Sequence, residues 1–448
     1  MRRSCGTTVR NLVLTTAALG AVAPAFGAGP VTAATWSAPV TIAPEAVQND
    51  EPQFGFSSDG TGLATWSNVT CGGAVSCLGT AGYSRRAASR RPDGTFGASL
   101  GLPFYGEMST YGRDRAVLFG NESVVFGSTH GTFGAARSSA MIINAHAVND
   151  RGQMAIASLL SRSGAATVRL AERPRGGRFG APRTIAGTKG ARSVAVAVGA
   201  RGDVALVWER AGRVQARLRR PGGRLGPVIK VGRGSPNGTR LWVEVAATGA
   251  VWVLWQNRAL PADVGPFTLR LALRRPDARA FDTARVLDRR AQQPAEEADS
   301  ASAELALDPA GTAHVAWSGS AGTRVRAKLR SVTAAGAASM TRVLSSADHN
   351  AAVYSLATSA RPGEVLVTWT QQRADLGDQV LAAVIVPGAA FAGEELVSTG
   401  DRAGSPVGAF DPRSGAPTIV WSQATGPPES AIEARRQVLR AATRIATP

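Results

Sequence analysis

A glycine stands six residues ahead of a tryptophan at six places in the chain: Gly60 and Trp66, Gly202 and Trp208, Gly249 and Trp255, Gly311 and Trp317, Gly363 and Trp369, Gly415 and Trp421. Gly152 keeps the spacing with Ser158 in the tryptophan position, and Gly120 keeps it with Phe126. A fixed internal spacing that returns about every 50 residues restricts the chain to a repeat architecture. The local pattern says which one. In "LDPAGTAHVAWSG" from Leu307, an Asp-Pro-Ala-Gly turn is followed by a short run of small and β-branched residues. Another apolar run precedes each glycine, such as "VAVAV" at Val194. Two short runs around a tight turn read as a β-hairpin. A third run follows, such as "RVQARLR" at Arg213, then a turn of the "RRPGG" type at Arg219 and a fourth run such as "FGAPRTIA" at Phe179.

Four strands per unit, repeated, predict an all-β chain folded as a β-propeller. A helical solenoid would need a 3.6-residue period, and none is visible. Sandwich domains in series would need about 100 residues per unit. Seven units are clear, with turn glycines Gly60, Gly152, Gly202, Gly249, Gly311, Gly363 and Gly415. Gly60 and Gly152 are 92 residues apart, room for two units. A degraded unit near residues 105–138 is therefore expected, with Gly120 at its turn and its third strand missing. "GTFGAARSSA" at Gly131 echoes "GTFGASLGL" at Gly94 and supports it. The count is eight blades.

"WSAPVTIA" at Trp36 matches the fourth-strand pattern but precedes the first full unit. Such a strand can pair with the last blade, close the ring and cover an edge that would otherwise template aggregation. The last unit has a rival fourth strand in "ATRIA" at Ala442. The sequence leaves open which of the two takes the outer position.

Residues 1–34 read as a secretory signal: Arg2 and Arg3, an uncharged apolar stretch from Leu12 to Val22, then small residues. The propeller is expected over 35–448. No later stretch has the roughly 20 apolar residues of a membrane span. A secreted or wall-associated monomer with no integral membrane segment after signal removal is expected. In an oxidising compartment, Cys71 and Cys77 in "CGGAVSC" read as a disulfide closing one loop.

In layout the chain resembles the secreted bacterial β-propeller repeat proteins, a wide group that includes sialidase-like and WD40-like repeats. The likeness lies in the repeat and not in its motifs. A sialidase Asp-box has Gly and Trp three apart, and here they are six apart. The WD dipeptide is missing, because Ser67, Glu209, Gln256, Ser318, Thr370 and Ser422 follow the tryptophans. The resemblance implies a propeller and carries over no site residue.

Reactive chemistry is sparse. His130, His146, His314 and His349 show no metal-ligand spacing. Glu296-Glu297 and Glu394-Glu395 are sequence neighbours, and that alone does not make two carboxylates converge on a bond. No catalytic residue, metal or cofactor is expected. Net charge is +18, and 47 of the 50 basic residues are arginine. Arg90, Arg91, Arg173, Arg175, Arg219, Arg220, Arg274 and Arg275 fall in equivalent turns of four units. They are expected to form a basic arc on one face that engages an anionic surface polymer or polysaccharide. The opposite face, built by the loops after the tryptophans, offers a second candidate set: Asn68, Glu209, Gln256, Asn257, Gln371 and Gln423.

The expected function is a binding or scaffold propeller acting through the arginine face. One alternative is a polysaccharide hydrolase or lyase with acids on the tryptophan-loop face. The other is a purely structural surface protein.

Overall fold

The computed structural model describes residues 34–46, 48–71, 81–104, 106–162, 165–235, 238–257, 267–289, 303–373, 377–399, 402–425 and 436–446. Every regular element among them is a β-strand. The strands form eight antiparallel sheets, and each sheet is one blade of a propeller. Blades 1 to 8 occupy residues 48–102, 107–138, 145–184, 191–233, 239–289, 303–343, 350–396 and 403–446. Residues 1–33 of the predicted signal segment and Cys77 lie outside the described residues, and Ala34 opens a strand.

The first strands are Gln48–Phe56, Glu107–Tyr111, Ala145–Val148, Ala191–Val198, Thr239–Val245, Ala303–Leu307, Asn350–Thr358 and Ala403–Phe410. They pack on one another from blade 3 through blade 8 to blades 1 and 2. His146 beside Glu107 joins blade 3 to blade 2. The first strands therefore ring the axis and the fourth strands form the rim. Several fourth strands are only two residues long, including Arg183–Thr184 and Glu395–Leu396.

Trp66, Trp208, Trp255, Trp317, Trp369 and Trp421 are all buried, none more than 3% exposed. Each packs into the core shared with the preceding blade; Trp255, for example, lies among Val207, Ala216 and Leu241 of blades 4 and 5. An indole fills this wedge because it is the largest flat apolar group available. Glycine precedes it because the hairpin turn takes a positive φ, 79° at Gly60 and 91° at Gly202.

Blade 2 differs from its sequence reading in two ways. Its hairpin turn is at Gly112 (φ 60°), and Gly120 follows the second strand. Leu118, six residues after Gly112, is the fully buried residue that faces blade 1. Phe126 lies on the third strand, Ser123–Ser128, which was expected to be missing. The Gly-to-slot spacing holds, but with Leu118 in place of tryptophan the true glycine could not be recognised.

The ring closes through the N-terminal segment. Ala34–Trp36 pairs with Ala446–Arg444, and Val40–Ala46 pairs with Ala441–Gln437. The segment thus forms the outer layer of blade 8. "ATRIA" belongs to the third strand, Arg436–Ala446, which pairs inward with Pro417–Thr425.

Candidate functional site

The arginine turns are largely taken up by the fold. The first arginine of each pair ends a third strand and turns inward. Arg90 is 4% exposed, stacks over Phe56 at 5.2 Å and donates to Thr443. Arg173 lies 4.4 Å over Phe126 and donates to the Gly152 carbonyl at 2.9 Å. Arg219 makes the equivalent bond to the Gly202 carbonyl and also pairs with Glu172 at 2.7 Å. Arg274 is half-buried. The second arginines, Arg91, Arg175, Arg220 and Arg275, are exposed. Arg220 lies 3.7 Å from Asp277 and Arg275 lies 3.0 Å from Asp282. Two of the inward guanidinium groups, Arg173 and Arg219, thus seal a hairpin turn, and two of the outward ones face a carboxylate.

The tryptophan-loop set is spread over five blades. Glu209 is fully buried, and its Oε1 accepts the Gly212 N–H at 2.6 Å. Burial raises its pKa above the usual carboxylate range, against the Gly212 bond and the charge of Arg192. Asn257 donates to the Arg233 carbonyl, Gln371 donates to Ser346, and Gln423 accepts from Trp421. Gln256 is buried and Asn68 half-buried. These residues sit on second strands, one layer out from the axis, and Glu209 and Gln371 bond to adjacent loops.

A cavity lies on the axis. The empty space there is about 560 Å³, a figure that takes in open solvent. Its walls are Pro52 and Gln53 of blade 1, Glu107 and Met108 of blade 2, Glu304 and Leu305 of blade 6, Tyr354, Ser355 and Leu356 of blade 7, and Val407 of blade 8. Blades 2 and 6 face each other across an eight-bladed ring, so a cavity touching both is the central channel. Its two charged wall residues, Glu107 and Glu304, are both acidic, inside a chain of net charge +18.

Three first strands on this wall are bulged beside a buried tryptophan. Glu51-Pro52 is inserted opposite Trp66, Ser405-Pro406 opposite Trp421, and Tyr354 beside Trp369. Glu51 and Ser405 have φ of 48° and 50°. Each precedes a proline and has a Cβ, so the left-handed conformation costs roughly 1–3 kcal/mol. Buried hydrogen bonds hold the bulges in place. Arg85, 2% exposed, donates to the Glu51 carbonyl, Ser67 and Thr65. Thr368 donates to the Pro406 carbonyl at 3.0 Å, and Ser355 accepts the Gly408 N–H at 3.0 Å. Bulges commonly re-aim side chains next to sites.

His146 is stacked on Phe119 with ring centroids 4.0 Å apart, and its Nδ1 is 3.6 Å from Glu107. Burial pushes its pKa down to about 4, so the ring is neutral at neutral pH. Glu244, on the first strand of blade 5, retains some solvent contact. It is nevertheless set deep enough that burial raises its carboxyl to about 8. Among the described residues no three His, Cys, Asp or Glu side chains come together as a metal site.

The sequence reading missed this site because it looked for loops and turns. The wall residues are spread over five units, one to three per strand. The single local signal was proline inside a first strand, at Pro52 and Pro406, where a regular strand disfavours it.

No family model matches the chain, and no curated protein does. Solved structures do. A complex of a puromycin hydrolase mutant is 16% identical, with a TM-score of 0.45 over 88% of this chain and 63% of that one. A prolyl endopeptidase is 12% identical, with a TM-score of 0.41 over 85% and 53%. Cobalt-substituted Synechocystis ACO is 11% identical, with a TM-score of 0.45 over 70% and 84%. The chain thus spans less than two thirds of the two hydrolases, and at these identities no family and no activity is assigned. The comparisons also correct the functional expectation. Neither a scaffold that binds anionic polymer nor a polysaccharide hydrolase or lyase finds support in these comparisons. The packing of the inward arginines points the same way.

Proposed function

We propose that the propeller handles peptides, with its central channel admitting a short chain and holding a cationic amine against Glu107 and Glu304. The observation that carries this reading is an axial cavity whose charged wall residues are both acidic, in a strongly basic protein. Met108, Leu305, Leu356 and Val407 add apolar wall, so the favoured ligand is cationic at one end and apolar beside it. Each first strand is also the free edge of its blade. A strand edge carries backbone N–H and C=O groups, which suit an amide-bearing ligand better than a simple amine; on this wall the N–H groups of Met108 and Gly408 are already bonded to Gln53 and Ser355.

The test is calorimetric titration with an apolar tripeptide amide bearing a free N-terminus, alongside its N-acetylated form. A charge-assisted hydrogen bond contributes roughly 1.5–3 kcal/mol, so Glu107→Gln or Glu304→Gln should weaken the free-amine peptide about tenfold or more. The acetylated peptide should bind weakly to all three proteins. Equal affinity for both peptides, or full affinity in both variants, would remove the proposal.

A further inference from the structure

We propose that Ser331, hydrogen-bonded to His314 with Asp308 behind it, is an activated nucleophile that accepts acyl groups from small apolar esters. The three residues lie on blade 6, away from the channel. Ser331 Oγ is 2.8 Å from His314 Nδ1, and His314 Nε2 is 3.3 Å from Asp308 Oδ2. His314 and Asp308 are buried and Ser331 is half-exposed, so the end that must meet a substrate is the one that reaches solvent.

The chemistry follows from the carboxylate. Burial alone would raise the Asp308 pKa, but bonds from His314, the Thr312 N–H and the Gly363 N–H outweigh it and keep the group anionic. An anion on Nε2 fixes the proton there. Nδ1 then presents its lone pair to the serine hydroxyl, which is the arrangement that activates a serine.

The repeat itself separates structural need from the rest. Asp308 has a structural role, because it latches its turn to Gly363 of blade 7, much as Asn149 latches blade 3 to the Gly199 carbonyl. The His314–Ser331 pair has a polar counterpart in blade 8, where Thr418 and Thr443 are hydrogen-bonded across the same strands, but that pair contains no base. His314 and Ser331 are directly cross-strand. In blades 1, 3, 4 and 7 the position of His314 is held by Leu63, Ala155, Ala205 and Leu366. Packing is thus satisfied there by an apolar residue, and blade 6 alone among these places a base opposite a serine. Ser339 is bonded to the Ser331 backbone in both directions and brings Met340, 90% exposed, alongside as an apolar contact.

In the proposed step Ser331 Oγ attacks the ester carbonyl carbon, and its proton passes to His314 Nδ1. The C–O bond to the alcohol breaks, the imidazolium returns the proton to the departing oxygen, and water later hydrolyses the acyl-serine.

The experiment treats the purified full chain with an alkyl fluorophosphonate, in which a serine oxygen replaces fluoride on phosphorus, and maps the adduct by mass spectrometry. One adduct on Ser331 is expected. It should be absent in Ser331→Ala, which leaves the packing intact, and slowed about a hundredfold or more in His314→Gln. Near-UV circular dichroism confirms that both variants are folded. If the folded protein takes up no label, labels elsewhere, or labels Ser331 equally fast without His314, the array is only a hydrogen-bonded latch and the proposal falls.

Discussion

The wedge reading of the tryptophans can be tested at Trp255 with a cycle that a merely apolar surface would fail. Trp255 is fully buried between blades 4 and 5. Its Nε1 donates to the Arg233 carbonyl at 2.9 Å. Asn257 also donates to that carbonyl, so removing the indole does not orphan it. Trp255→Ala should therefore cost the transfer and cavity terms alone, roughly 3–5 kcal/mol. The ring also explains a neighbouring glycine. A Cβ built on Gly232 would meet Trp255 Cζ2 at 2.5 Å and Cη2 at 2.8 Å. Gly232→Ala should accordingly cost about 1–3 kcal/mol by overpacking. With the indole removed, the same methyl enters empty space and should be neutral or stabilising. The expected coupling is roughly 1–3 kcal/mol, read from reversible denaturant unfolding of wild type, the two single variants and the double variant. A loss under about 1 kcal/mol for Trp255→Ala, or additive penalties in the double variant, would show that the ring does not hold the blades together.

The remaining expectations concern pH and closure. His146 has a folded pKa of about 4 against an ordinary 6.5. Between these values the unfolded chain binds more protons, so stability rises with pH and acidification from 6.5 to 4 costs up to about 3 kcal/mol. His146→Phe should remove that part of the slope, and an unchanged slope would count against the buried imidazole as its source. Glu244 is raised to about 8, so the stability linked to its neutral form is present at low pH and lost as pH climbs through 8. Glu244→Gln should match wild type in Tm at pH 5 and exceed it at pH 9; the reverse order would place the carboxylate in contact with a cation. Deleting residues 34–46 should expose the edge of Arg436–Ala446 and produce oligomers in light scattering. A monomer of unchanged Tm would mean that the N-terminal strand is dispensable.

Much of the architecture was set by local chemistry that survives in one dimension. A turn glycine with positive φ and a tryptophan of fixed wedge size recur because every blade solves the same packing problem, so the blade number and the buried tryptophans could be read directly. The spacing holds in blade 2 as well, but with Leu118 in the slot the glycine at its turn, Gly112, could not be recognised from the sequence. Closure was ambiguous for a different reason. "WSAPVTIA" and "ATRIA" are equally good strands, and only the pairing of Val40–Ala46 with Ala441–Gln437 decides which lies outside. Function belonged almost wholly to the tertiary structure. Arg173 and Arg219 look like free turn arginines until their guanidinium groups are found bonded to the turn carbonyls of Gly152 and Gly202. Glu107 and Glu304 are 197 residues apart in sequence, and only the closing of the ring brings them into one cavity. His314 and Ser331 are an unremarkable pair at a separation of 17 until strand register sets them face to face. Side-chain type and turn chemistry are local and can be read from the chain, whereas convergence across blades depends on how the ring closes.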